Sequence, residues 1–328
     1  MSFRSRAARR DGEDHGEMIP ETVDQEGVGQ TREGQWPPLL RLRVPRVPAL
    51  ADLGRGLVAA AGGRAVIDPG LDPHGSALGD AISLVLAGQG CPAPIAQRNW
   101  LPPGHTGVSG VGQPGAATQV HSGYPGGSRI IDPVQCQALM AHDGTNLYLQ
   151  YQVLEPEIRC IHDKDQAPVY QDSCVELFIS PGGNYRNFEF NAIGSCLHYI
   201  GPDRHNRRPL PPEVVGRILR IPSRGARAQH QHPGDGPHRW SLLVMIPGDV
   251  LGLDPGTGTV PRSSEPASAD SVPPTGEPAP NLSGTTWRGN LYKCGDSLEQ
   301  PHYLSWSAID TPKPDFHVPE FFGIIDFQ

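Results

Sequence analysis

Seventeen of the 21 aromatic residues lie between residues 129 and 328, and eight of them fall within Trp287–Gln328 alone. Only Phe3, Trp36, Trp100 and Tyr124 come earlier. Large rings build either a core or a flat binding face, so the packed part of the chain is expected at residues 129–328. Residues 1–90 are rich in Arg, Gly, Pro and Ala with weak periodicity. They read as a disordered or low-complexity region with one short helix near Leu57–Ala61. Residues 91–128 read as a weak domain start followed by a Gly-rich insertion. The 40 Gly, 36 Pro and 37% hydrophobic content fit a chain that is only partly packed.

Within 129–328 the pattern is that of short strands. Val134–Ala141 runs into Asp143–Gly144, a dipeptide suited to a tight primed turn. Leu147, Leu149, Tyr151 and Val153 then alternate with Tyr148, Gln150 and Gln152, as in a half-buried strand. Val175–Ser180, Asn187–Gly194, Ser195–Ile200, Arg217–Ile221, Trp240–Pro247 and Trp287–Cys294 read as further strands, and Glu320–Phe327 closes the set. A helical turn is expected at Gly248–Leu253. The expected fold is all-β, an antiparallel, jelly-roll-like β-sandwich. Residues 254–284 hold seven prolines and no aromatic, which marks a flexible insertion. Asn281-Leu282-Ser283 is a formal glycosylation sequon.

Composition narrows the partners. The net charge of −8 and pI of about 5.9 argue against nucleic acid. No apolar h-region follows the arginines at 4–10, so no signal peptide is expected, and the longest early apolar run is too short for a membrane span. The six cysteines form no CxxC pair, and Cys174, Cys196 and Cys294 sit in apolar runs, which favours buried free thiols over disulfides.

One strand carries chemistry. In VYQDSCVELFIS, Asp172, Cys174 and Glu176 share a face opposite Val175, Leu177 and Ile179. That face is either solvated or, with Tyr170, Glu189 and Asn191, a patch of one ring, several carboxylates and an amide. The loop Arg204–Glu213 is basic and is expected to be solvated.

The segments PVQCQALMAHDGTNLYLQYQV, NLYKCGD and PHYLSWSAIDTPKPDFHVPEFFG resemble the family 9-like carbohydrate-binding domains, relatives of modules attached to xylanases. The resemblance runs over roughly residues 130–328 without the 254–284 insertion, with a weaker start at Ile95–Trp100. It implies non-catalytic binding of an oligo- or polysaccharide, a structural calcium with no ligands matched here, and a secreted or cell-surface setting. In those modules an aromatic precedes a DSVE-like strand whose glutamate meets sugar hydroxyls, which implicates Tyr170 and Glu176, with Asp172 beside them. Asn191 matches an asparagine of the same site, and Glu189 stands where arginine is frequent. The second clamping ring precedes the last strand, where Phe316 falls, with Trp306 as the other candidate. Phe316 is thus either an exposed platform or a core residue. Lys313 and Asp315 are candidates for further polar contacts. By the same resemblance Arg204, Arg207 or Arg208 meets anionic sugar groups.

Two further readings stay open. Glu176 and Glu189 on neighbouring strands have the makings of a glycoside hydrolase pair. Met140, Met245, His198 and His302 supply ligands for a haem-binding, DOMON-like sandwich.

Overall fold

Strand alternation and the chain's turns produce the expected sandwich, together with a helical layer that the pattern does not announce. The computed structural model describes residues 39–98, 134–253 and 281–328. The expected Gly-rich insertion, most of the 254–284 insertion and residues 1–38 lie outside the described residues.

The chain opens with β1 (Arg41–Val44), α1 (Ala49–Ala61), α2 (Pro73–Gln89), β2 (Cys91–Pro94) and β3 (Gln97–Arg98). There follow β4 (Gln135–His142), β5 (Asn146–Glu155), β6 (Ile158–Cys160), β7 (Cys174–Ser180), β8 (Tyr185–Asn191) and β9 (Cys196–Gly201). Next come β10 (Arg208–Pro209), α3 (Pro212–Val215), β11 (Leu219–Pro222), β12 (Gln229–Gln231), β13 (His238–Pro247) and α4 (Gly248–Leu251). The last strands are β14 (Thr286–Cys294), β15 (Tyr303–Ser305) and β16 (Gly323–Phe327).

One sheet runs β1-β16-β14-β7-β8-β9-β10, with β15 on β14 and β3 on β15. The other runs β11-β13-β5-β4-β2, and β6 pairs with β12 alone. Among the described residues all strand pairs are antiparallel except β1 with β16. The β4–β5 hairpin pairs His142 with Leu147, which leaves a loop longer than a two-residue primed turn. Asp143 Oδ1 holds that loop by accepting the amides of Thr145 and Asn146, both at 2.7 Å, and Gly144 takes the left-handed φ of 105° the turn requires.

The inner faces meet as alternation dictates. Val175, Leu177 and Ile179 from β7, with Phe188 and Phe190 from β8, pack against Leu147, Leu149, Tyr151 and Val153 from β5 and Trp240, Leu242 and Val244 from β13. Between the sheets lies a buried ion pair. Lys293 Nζ is 2.8 Å from Glu155 Oε2, both side chains are fully buried, and Trp240 Nε1 donates to Glu155 Oε1 at 2.6 Å. Burial works against the lysine's charge, but the adjoining Glu155 carboxylate outweighs it and holds the ammonium above its ordinary range.

The expectation of an unpacked region through residue 90 does not hold from 39 onward. The helix expected near Leu57–Ala61 extends back to Ala49, and α2 follows it. Both lie on the outer face of the smaller sheet, where Leu50, Leu57, Ala61, Ile67, Ile82 and Leu86 cover Tyr148, Leu219, Leu243 and Met245. Asp72 caps α2 by accepting from the Gly75 amide, and Pro73 begins its first turn. The glycines that lower its apparent helix propensity serve packing. A Cβ on Gly79 would sit 2.5 Å from Ile221 Cδ1, so glycine lets the helix approach the sheet. This layer also explains why β5 is buried on both faces rather than one: Gln150 is covered, and its Oε1 accepts from Ser83 of α2 at 2.6 Å.

His198 of β9 makes stability sensitive to acid. It is fully buried, stacks on Phe188 with centroids 4.0 Å apart, and its Nδ1 lies 3.0 Å from the Asn187 carbonyl oxygen. Burial pushes its pKa down to about 3. The unfolded chain takes up that proton first, so the stability is complete above about pH 6.5 and is lost as pH falls towards 3, by on the order of 4–5 kcal/mol. Urea unfolding across this window will show the decline, and His198→Phe, which keeps the stack, will flatten it. An identical pH slope in the variant would contradict the assignment.

Candidate functional site

The face of β7 expected to carry chemistry points away from the inter-sheet core. Cys174, Glu176 and Phe178 lie on it, and register places Glu176 between Glu189 of β8 and Tyr292 of β14. The same face of β14 adds Cys294, directly opposite Cys174. The segment between β14 and β16 folds over this face and, with Phe178, Tyr185, Tyr292, Phe316 and Phe322, builds a satellite apolar cluster. Between sheet and segment lies a cavity of about 220 Å³. Tyr170, Glu176, Glu189, Arg204, Arg207 and Phe316 line it, together with Cys294, Asp296, Tyr303, Asp315 and His317.

Glu176 and Glu189 are nearly inaccessible, at 3% and 2% exposure. Burial, followed by the Glu189 charge, pushes Glu176 well above the usual carboxylate range. Burial likewise raises Glu189 to about 7 against the opposing pull of Arg207 and Asn187. Asn187 Nδ2 donates to Glu189 Oε1 at 2.9 Å, and Arg207 Nη1 stands 3.6 Å from the same oxygen. Among the described residues, Glu189 Oε2 and Arg207 Nη1 are buried and make no hydrogen bond. Arg207 also lies over the Tyr199 ring at 5.1 Å, and Arg204 pairs with Asp315 at 3.0 Å.

The aromatic wall is tightly held. Phe316 stacks on Tyr292 with centroids 4.1 Å apart and planes 7° from parallel, and Tyr303 meets its edge at 6.1 Å. Tyr292 Oη donates to the Phe316 carbonyl oxygen at 3.1 Å. Phe316 is 8% exposed, so of its two expected roles the core one describes it, although it also borders the cavity. Phe316→Ala is therefore expected to cost about 3–5 kcal/mol of stability. A thermal melt within a degree or two of the parent would contradict that. Tyr170 is half-buried, and its carbonyl oxygen accepts from the Asp296 amide at 3.0 Å, which fixes it beside Cys294.

Other expected site residues sit elsewhere. Asp172 is fully buried outside the cavity lining: Arg159 donates to it at 2.6 Å, and the amides of Ile161 and His162 and Asn191 Nδ2 at 3.0–3.1 Å. Asn191 also donates to the His162 carbonyl oxygen and accepts from the Ser195 amide. The pair fastens the 158–173 segment to β8 and has no polar atom to spare. Lys313 is exposed and outside the lining, while Trp306 is 5% exposed and belongs to the inter-sheet core. Asp165 is held by Arg220 at 2.6 and 3.1 Å and by the Cys196 amide.

Met140 and Met245 fall in clusters on opposite faces of the smaller sheet, and His302 Nε2 lies 2.9 Å from Lys293 Nζ. None of the proposed haem ligands lines the cavity. The six cysteines are free, five of them buried, as expected.

Asp296, Tyr303 and His317 were not read as lining residues from the sequence. His317 Nδ1 lies 2.8 Å from Tyr185 Oη, and burial pushes its pKa down to about 2. Strand register offered the missing signal, because whatever follows Tyr292 and Cys294 must cross the face that carries Glu176.

Fold and site together define a two-sheet β-sandwich with a polar, ring-walled cavity on one outer face. The chain belongs to carbohydrate-binding family 9, whose profile matches residues 133–256 and 278–327. A structure from Bacteroides uniformis, of a candidate carbohydrate-binding protein, is similar at 28% identity and a TM-score of 0.55, over 76% of this chain and 91% of that one. Two structures of a family 9 module from Caldicellulosiruptor kristjanssonii, one with glucose and one with cellotriose, align at TM-scores of 0.31. Their identities are 12% and 11%; each alignment covers 60% of this chain, and 78% and 76% of those chains. No curated protein matches this chain. Among the described residues no helix is long and apolar enough to cross a membrane.

Proposed function

We propose that the chain binds a neutral saccharide in this cavity. The observation that carries the reading is a buried acceptor, Glu189 Oε2, that makes no hydrogen bond among the described residues, beside Arg207 Nη1, whose ion-pair partner Glu189 Oε1 stands 3.6 Å away, beyond hydrogen-bond distance. Buried polar atoms are rarely left unpaired, and one acceptor beside one donor suits sugar hydroxyls, which do both. Tyr170, half-buried at the cavity, supplies ring surface for the pyranose face. The volume suits one sugar ring, with the rest of an oligosaccharide outside. Both arginines have carboxylate neighbours, Arg204 with Asp315 and Arg207 with Glu189, which favours a neutral ligand over an anionic sugar.

Arg207→Ala and Glu189→Gln are each expected to weaken binding by about 1–3 kcal/mol, or roughly 5- to 150-fold, in calorimetric titration. Unchanged affinity in both would move the ligand out of the cavity. The Glu176–Glu189 pair, opposite each other in register, favours one second reading, hydrolysis, because a buried carboxyl with a pKa near 7 is suited to act as an acid. Turnover of chromogenic glycosides that disappears in Glu189→Gln would establish it.

A further inference from the structure

Cys174, Cys294 and Glu176 meet beside the cavity, which Cys294 and Glu176 line. The two cysteines face each other across β7 and β14. Cys294 Sγ lies 3.0 Å from Glu176 Oε1, Cys174 Sγ lies 3.9 Å from the same oxygen, and the three ligand atoms fall within 4.8 Å of one another. A tetrahedral zinc ion with Zn–S of roughly 2.3 Å and Zn–O of roughly 2.0–2.2 Å would place such donors roughly 3.5–3.8 Å apart. The three donors need only small side-chain adjustments to reach that spacing. Glu176 and Cys294 line the cavity, which gives an ion its way in. Glu189, opposite Glu176 in register and 2% exposed, has no hydrogen-bond partner for its Oε2 among the described residues.

We propose that Cys174, Cys294 and Glu176 form a binding site for one thiophilic divalent cation of the zinc type, with a fourth coordination position open to the cavity. Two thiolates and a carboxylate select such an ion over calcium or magnesium, which prefer all-oxygen sites. Binding forms two metal–sulfur bonds and one metal–oxygen bond. The thiol protons, and any proton on Glu176, pass to water, and no oxidation state changes. The open position would take water, Glu189 or a hydroxyl of the bound sugar. That last role rests on the saccharide reading above; the metal site itself does not.

The test uses the reduced, full-length chain, stripped with a chelator and titrated with Zn²⁺ or Co²⁺ in the absence of sugar. One equivalent is expected to bind, and Co²⁺ should give thiolate charge-transfer absorption with the strong visible bands of a tetrahedral site. Cys174→Ser and Cys294→Ser should each lose at least tenfold in affinity, while Cys136→Ser, a buried thiol outside this group, should not. Should the serine variants fail to fold, alkylation decides: Zn²⁺ should protect Cys174 and Cys294 together in the parent chain. Absence of the charge-transfer band, protection confined to other cysteines, or a disulfide joining these two would overturn the proposal. Repeating the titration with sugar separates the two claims, because lack of sugar binding refutes the saccharide reading and leaves the metal result standing.

Discussion

A chain that begins at residue 129 will fail to form a stable sandwich. It lacks β1, β2, β3 and both helices of the outer layer. Leu50, Leu57, Ile67, Ile82 and Leu86, each at most 1% exposed, would be gone. Fully burying one such side chain is worth about 1.5–3 kcal/mol, so the loss is on the order of 10 kcal/mol, comparable with the whole stability of a domain. Tyr148, Leu219, Leu243 and Met245 would also face water. Such a chain should aggregate, or bind a hydrophobic dye and melt without cooperativity, whereas the full chain should show a cooperative transition. A soluble 129–328 fragment with the parent's melting temperature would show that the helical layer contributes little.

Lys293→Met is expected to cost about 3–5 kcal/mol, because it leaves the Glu155 carboxylate buried without its cation. The local arrangement makes this more than a generic loss. Glu155 also accepts from Trp240, and Lys293 Nζ also donates to the Cys294 carbonyl oxygen, so one pair ties β5, β13 and β14 together. The double variant Lys293→Met, Glu155→Leu should recover much of the lost stability, since an apolar pair needs no desolvated charge. Urea unfolding of the two single variants and the double variant measures the coupling. A single variant within 1 kcal/mol of the parent would show that the carboxylate finds other compensation.

The strands were legible because period-2 alternation survives along them, and β4, β5, β7, β9, β11, β13 and β14 fall where the sequence placed them to within two residues, whereas β8 ends three residues early. The helices were obscured by glycines such as Gly79, which lower propensity locally while permitting close approach to Ile221. Tertiary packing supplied what propensity denied. At the site, Tyr170, Glu176, Glu189, Arg204, Arg207 and Phe316 do meet around one cavity. Asp172 and Asn191 were misplaced because face-sharing on a strand does not reveal which polar atoms the next loop consumes. Here the 158–173 segment and the Ser195 amide take them. Phe316 could not be assigned from sequence between platform and core, because that depends on Tyr292, which reaches it only through the fold.

The most direct test of the account is binding of a panel of neutral mono- and oligosaccharides by the full-length chain, measured beside the Arg207→Ala, Glu189→Gln double variant. At least one saccharide is expected to bind the parent, with affinity reduced at least tenfold in a double variant whose fold is intact by circular dichroism. Equal binding by the two proteins, or no binding by the parent across the panel, would contradict it.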